Sequence, residues 1–332
     1  MMSKSSLTLF LMVVALKVLL SAAAGAPRRV ATITGQVKNG TPEGRSTGNL
    51  DVLIQTLDMD GNVIKTSRTR TDSAGRFMVK VPVEEGHYHK FVVPFAGTQF
   101  ESSPVVTGHG HNVGVVTVTV YETSTDASKI GVDMHHVIME PLTEETGGST
   151  DMAWKVTEII VIHNAGQKAY IGKLNEATGK TPSVRFSLPP GFAGVQIEEG
   201  LRRCCAVLTE TALFDSTPLN PGQKVFAYNY RLPAETLREG WRRKIDYPTR
   251  QMMVVAKGEQ VSLSSPQLGA QEVTDLGGGP LTFVKGSGLK PGTEVFLKIS
   301  SPALTDHRLP LFIGTAVGLA LIFATIAFAV RP

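Results

Sequence analysis

Apolar and polar residues alternate at period two through most of the chain between residues 30 and 301, and Gly, Pro, Asn or Asp breaks the alternation at short intervals. Alternation at that period predicts half-buried β-strands, and no long stretch carries the 3.6-residue period of an amphipathic helix. Val30–Val37, Leu50–Leu57, Val63–Arg70, Arg76–Val81, Tyr88–Val93 and Val113–Tyr121 read as six or seven successive strands, enough for one small sandwich. Met59-Asp60-Gly61-Asn62 falls between two of them and predicts a hairpin turn, because Asp-Gly tolerates positive φ.

After the polar junction 121–128 the alternation resumes, with strands predicted at Trp154–His163, Ser183–Leu188, Ala193–Glu198, Lys224–Leu232, Gln251–Ala256, Pro280–Val284 and Glu294–Ile299. Three Pro-Gly turns punctuate this region, at Leu188-Pro189-Pro190-Gly191, Leu219-Asn220-Pro221-Gly222 and Leu289-Lys290-Pro291-Gly292. Proline followed by glycine fits the two central positions of a type II turn. The predicted fold class is therefore all-β: one sandwich at 28–122, and a second β-rich region at 129–301 holding one or two sandwiches.

Both ends break this pattern. Residues 1–24 carry Lys4, an apolar run from Leu7 to Leu20 interrupted by Lys17, and then small residues, the layout of a cleaved signal peptide with its cut after Ala24. An uncleaved N-terminal anchor is the competing reading. Pro310–Val330 is a charge-free apolar run between Arg308 and Arg331, and at about 1.5 Å per residue it is long enough to cross a bilayer core. The chain then reads as a single-pass membrane protein: helix at 309–330, two-residue cytoplasmic tail at 331–332, and everything else extracytoplasmic, whether periplasmic or extracellular. A tail cut off after sorting is the alternative. Gly314 and Gly318 form a Gly-x-x-x-Gly pair, a possible homodimer contact within the span.

Certain residues carry a family resemblance. Thr32-Ile33-Thr34-Gly35-Gln36-Val37, Val52-Leu53-Ile54, Thr71-Asp72-Ser73-Ala74-Gly75-Arg76-Phe77 and Gly86-His87-Tyr88 resemble the carboxypeptidase regulatory-like domain, over about residues 29–120. The resemblance implies a prealbumin-like sandwich of the carbohydrate-binding-like class, in which Asp72 and Gly75 build a turn and Phe77 enters the core. It implies an accessory module and no catalytic chemistry. The overall layout is also similar to bacterial membrane-anchored envelope proteins, some of which accompany cytochrome c maturation.

Seven of the eight histidines lie between positions 87 and 163. His87 with His89, His109 with His111, and His135 with His136 are candidate ligands for Zn or Cu, since His-x-His on a strand places two imidazoles on one face. No Cys ligand pair or His-Glu-x-x-His motif accompanies them. Cys204 and Cys205 are the only cysteines, and three readings are open to them: a strained ring, an intermolecular bridge or a buried thiol pair, the last ranked first. Arg238, Arg242, Arg243 and Lys244 beside Trp241 and Tyr247 read as a solvated charged loop. Asn39-Gly40-Thr41 is a glycosylation sequon.

The formal charge of +4 falls to +2 once Lys4 and Lys17 leave, too little to argue for nucleic acid. Nucleophile-elbow, phosphate-loop and dinucleotide motifs are missing from the sequence, so a non-enzymatic binding or scaffolding protein of the cell envelope is expected. Its partners would be the membrane and other envelope proteins. A carbohydrate-binding module is one alternative, with Tyr88, Phe91, Phe95 and Phe100 as the available stacking aromatics; a metal- or haem-handling accessory factor is another.

Overall fold

A computed structural model describes residues 30–107, 115–146, 149–174, 179, 181–202, 204–258, 260–275 and 279–301, with no side chains described at 143–152. The protein is all-β and divides after Val120 into two compact units. The predicted signal peptide and the predicted span at 309–330 lie outside the described residues. Among the described residues no helix is long and apolar enough to cross a membrane.

The first unit contains β1 (Val30–Asn39), β2 (Asp51–Leu57), β3 (Val63–Arg70), β4 (Arg76–Pro82), β5 (Tyr88–Phe95), β6 (Thr98–Glu101), β7 (Val105–Val106) and β8 (Val116–Val120). One sheet has the order β4-β1-β8; the other runs β3-β2-β5-β6, with β7 also on β5. Alternation fixes what β1, β2 and β8 bury, whereas β3 is exposed along nearly its whole length. Ile33 and Val37 of β1, Val118 and Val120 of β8, and Val52 and Ile54 of β2 are all nearly inaccessible. The Phe77 and Phe91 rings, one from each sheet, lie 5.4 Å apart and join the two faces into one core. Phe77 fits because its cross-strand partner is Gly35, and a Cβ there would collide with the ring.

The Asp72–Phe77 turn forms as its residues require. Asp72 Oδ1 accepts the Ala74 and Arg76 amides at 2.9 and 2.8 Å, and Gly75 adopts φ +77°. A Cβ on Gly75 would also lie 2.7 Å from the Val37 carbonyl oxygen, which makes glycine necessary there. The Met59–Asn62 hairpin closes in the same manner, with Asp58 Oδ1 accepting the Asp60 and Asn62 amides and Gly61 at φ +85°.

In the second unit the strands are β9 (Thr123–Ser124), β10 (Ile130–Thr146), β11 (Ser149–Asn164), β12 (Ala169–Tyr170), β13 (Val184–Ser187), β14 (Ala193–Glu199), β15 (Ala206–Leu208), β16 (Ala212–Asp215) and β17 (Gly222–Pro233). A short helix α1 (Ala234–Arg238) follows, then β18 (Trp241–Lys244), β19 (Thr249–Lys257), β20 (Ser262–Ser264), β21 (Glu272–Asp275), β22 (Pro280–Leu289) and β23 (Glu294–Ser300). A seven-stranded sheet of order β14-β17-β11-β10-β19-β22-β21 is its spine, and β10 and β19 run parallel within it. Two three-stranded sheets, β13-β16-β15 and β18-β23-β20, pack against one face of that spine. A single buried cluster reaches from Ile130 to Ile299 and draws on all three sheets. Gly191, Gly222 and Gly292 all have positive φ, as the three Pro-Gly turns demand.

The long β10 strand contains a bulge between Val132 and Met134. Ile130 and Val132 face the core before it; Val137 and Met139 face the core after it. The extra residue, Asp133, switches the parity of inward-facing positions from even to odd.

Candidate functional site

Glu158 lies at the centre of β11, on the face that also carries Trp154, Val156, Ile160 and Ile162, and it is completely buried. A carboxylate at such a position must find charge or hydrogen bonds inside the protein. Its Oε2 accepts from His135 Nε2 at 2.9 Å and from the Tyr228 hydroxyl at 2.7 Å, while Oε1 accepts from the Tyr230 hydroxyl at 2.9 Å. The Arg243 Nε bridges both oxygens at 3.1–3.2 Å. Four strands contribute: β10 brings His135, β17 brings both tyrosines and β18 brings Arg243 across from the smaller sheet.

Around this centre a second set of bonds fixes the donors. Arg243 Nη1 reaches Asp246 Oδ2 at 3.0 Å, and Asp246 in turn accepts the Ser187 amide and hydroxyl at 2.8 and 2.6 Å. Trp241 Nε1 donates to the Tyr230 hydroxyl at 3.2 Å. The Tyr247 hydroxyl accepts the Arg185 amide at 2.8 Å. A small cavity of about 10 Å³ lies against His135, Phe186, Arg243, Asp246, Tyr247 and Thr249. It has room for about one water molecule.

The electrostatics follow from the geometry. Burial alone would push the Glu158 carboxyl up, but the Arg243 guanidinium and the His135 hydrogen bond outweigh it and hold the carboxyl well below its usual range. Burial pushes the Tyr228 and Tyr230 hydroxyls far up, and the neighbouring Glu158 charge adds to that. Arg243 feels the opposite pull: burial disfavours its charge, and Glu158 more than restores it. At its heart the cluster is a buried Glu158–Arg243 ion pair whose carboxylate oxygens are both hydrogen-bonded.

The candidate metal ligands are dispersed. His89 is buried on β5, with Thr56 Oγ1 3.2 Å from Nδ1 and Thr107 Oγ1 3.4 Å from Nε2, and burial pushes its pKa down. His87 sits half-exposed just before β5, its Nδ1 2.9 Å from a Glu84 carboxylate oxygen. His109 and His111 lie outside the described residues. His135 and His136 are adjacent on β10 and so point to opposite faces; His135 enters the Glu158 cluster, whereas burial drives His136 down to about 4. Among the described residues no group of three His, Cys, Asp or Glu side chains is placed to hold a metal ion. Of the stacking aromatics in the first unit, Phe91, Phe95 and Phe100 are core residues, and Tyr88 is half-buried.

Two further expectations are corrected. Residues 241–244 form strand β18 and not a solvated loop: Trp241 and Arg243 are buried, while Arg242 and Lys244 face outward, with Arg242 stacked on Phe296 at 4.7 Å. Cys204 is exposed and Cys205 half-buried, so they are not a buried thiol pair. At the sequon, the Asn39 side-chain amide donates to the Arg45 carbonyl and its oxygen accepts the Thr41 amide, both at 3.0 Å, so the acceptor nitrogen is already engaged.

Nothing in the sequence analysis singled out Glu158, Tyr228 or Tyr230. The available signal was the register: counting by two from Trp154 or from Phe226 puts an acid and two hydroxyls on faces otherwise apolar. No family model and no curated protein matches this chain.

Proposed function

We propose that the protein is a non-enzymatic binding or scaffolding protein, held outside the cytosol by a C-terminal span at 309–330 after removal of residues 1–24. Its first unit serves as an accessory module of carboxypeptidase regulatory-like type. The observation that carries this reading is how the second unit uses its buried charges. Glu158, Arg243, His135, Tyr228 and Tyr230 bond one another, and the cavity beside them admits about one water. Such a cluster stiffens a sandwich. Rigid sandwiches present their surfaces to partners, and here the partners are other envelope proteins at the membrane.

Expression of the tagged full chain, followed by alkaline washing of membranes, external protease treatment and N-terminal sequencing, tests the arrangement. The mature chain should begin at Gly25, stay in the washed pellet and be cut by protease added outside. Recovery of an intact soluble cytosolic protein refutes it. Cross-linking in intact membranes before extraction should trap a discrete protein partner, and substrate turnover by the purified protein refutes the non-enzymatic assignment.

A further inference from the structure

Cys204 and Cys205 occupy a turn closed by the Cys205 and Ala206 amides, which donate to the Arg202 carbonyl at 3.0 and 2.7 Å. The turn leads directly into β15, one of the two edge strands of the β13-β16-β15 sheet. Cys204 is exposed and Cys205, its chain neighbour in the turn, is half-buried. This asymmetry divides the labour of a thiol–disulfide exchange: one sulfur can reach a disulfide in solution, and the second is shielded but adjacent.

We propose that Cys204 and Cys205 form a reversible two-electron modification site for small-molecule disulfides, with Cys204 as the attacking thiol and Cys205 as the resolving one. Cys204 gives its proton to solvent and its sulfur attacks one sulfur of the incoming disulfide; the S–S bond breaks, and the first leaving thiolate takes a proton from water. Cys205 then releases its proton and attacks Cys204 Sγ, expelling the second thiol and leaving an intramolecular disulfide. The two cysteines lose two electrons in total and the small disulfide becomes two thiols.

The order of the steps follows from the surroundings. Burial and the Cys204 thiol push the Cys205 thiol up to about 11, so it is a poor first nucleophile and gains reactivity only when a mixed disulfide is held beside it. Reversibility follows from covalent geometry. Adjacent Cα atoms across a trans peptide are ~3.8 Å apart, shorter than the ~4.4–6.8 Å a relaxed disulfide spans, so the ring is strained and easily reduced. Strained, exposed disulfides respond to redox conditions instead of stapling a fold. The proposal does not depend on where the protein resides.

Detergent-solubilised full-length protein, reduced and then exposed to glutathione disulfide, supplies the test by intact mass and peptide mapping. Wild type should lose both maleimide-reactive thiols, gain a Cys204–Cys205 link with no retained adduct and no disulfide between copies, and recover both thiols in mild reductant. Cys205→Ser should retain one glutathione on Cys204, and Cys204→Ser should react at least tenfold more slowly than wild type. A stable adduct on wild type, a disulfide-linked dimer, or unchanged thiols would each overturn the proposal.

Discussion

Replacing Arg243 by methionine keeps most of the side-chain volume but leaves a fully buried Glu158 carboxylate without its cation. The Tyr228, Tyr230 and His135 bonds to Glu158 survive, so the loss is that of one partner from a satisfied cluster. Breaking a buried pair in this way costs about 3–5 kcal/mol. Asp246, which also bonds Arg243, loses a partner as well and places the cost toward the upper end. Glu158→Gln alone should cost about 2–4 kcal/mol, because an amide cannot balance Arg243. The double variant removes both charges together, so the cycle should show at least about 1 kcal/mol of coupling, with the double less damaging than the sum of the singles. Trp154 and Trp241 are both buried in this unit and report its unfolding by fluorescence in urea. For a unit of this size, about 4 kcal/mol corresponds to a fall in Tm of roughly 8–16 °C. Strictly additive singles, or an Arg243→Met protein as stable as wild type, would refute the view that this ion pair holds the two layers together.

His136 is held at about 4 by burial against an ordinary value of 6.5, so the folded state binds fewer protons than the unfolded one between these values. Stability is therefore full above pH 6.5 and declines as pH falls toward 4, by at most about 3 kcal/mol from this residue; His136→Leu should flatten that part of the stability–pH curve, and an unchanged slope would count against the assignment. Gly35→Ala places a methyl group into the Phe77 ring and should destabilise the first unit by about 1–3 kcal/mol, read by chemical denaturation. Asp72→Ala removes the acceptor for two turn amides and should cost about 0.5–1.5 kcal/mol, with faster hydrogen exchange at Ala74 and Arg76.

Local rules made much of the architecture legible. The strands at Asp51–Leu57, Val63–Arg70, Ala193–Glu199 and Glu294–Ser300 fall where period-two alternation places them, and Asp72, Gly75 and Gly61 form the turns that their backbone preferences dictate. Alternation, however, says only that neighbours point to opposite faces; it does not say which face is inside. On β10 the bulge at Asp133 settles that question, sending His135 into the core and His136 away from it, although the two are adjacent histidines in the sequence. The strand itself had no clear signal in the chain, because its parity changes midway. Arg243 shows the same division. The string Arg242-Arg243-Lys244 looks like one basic patch, yet pairing with β23 turns only its middle residue inward, toward an acid 85 positions earlier. Sequence determined the strands and turns because these depend on residues a few positions apart. The charged cluster depended on which faces were brought together across β10, β11, β17 and β18, and that was decided only by the packing of distant strands.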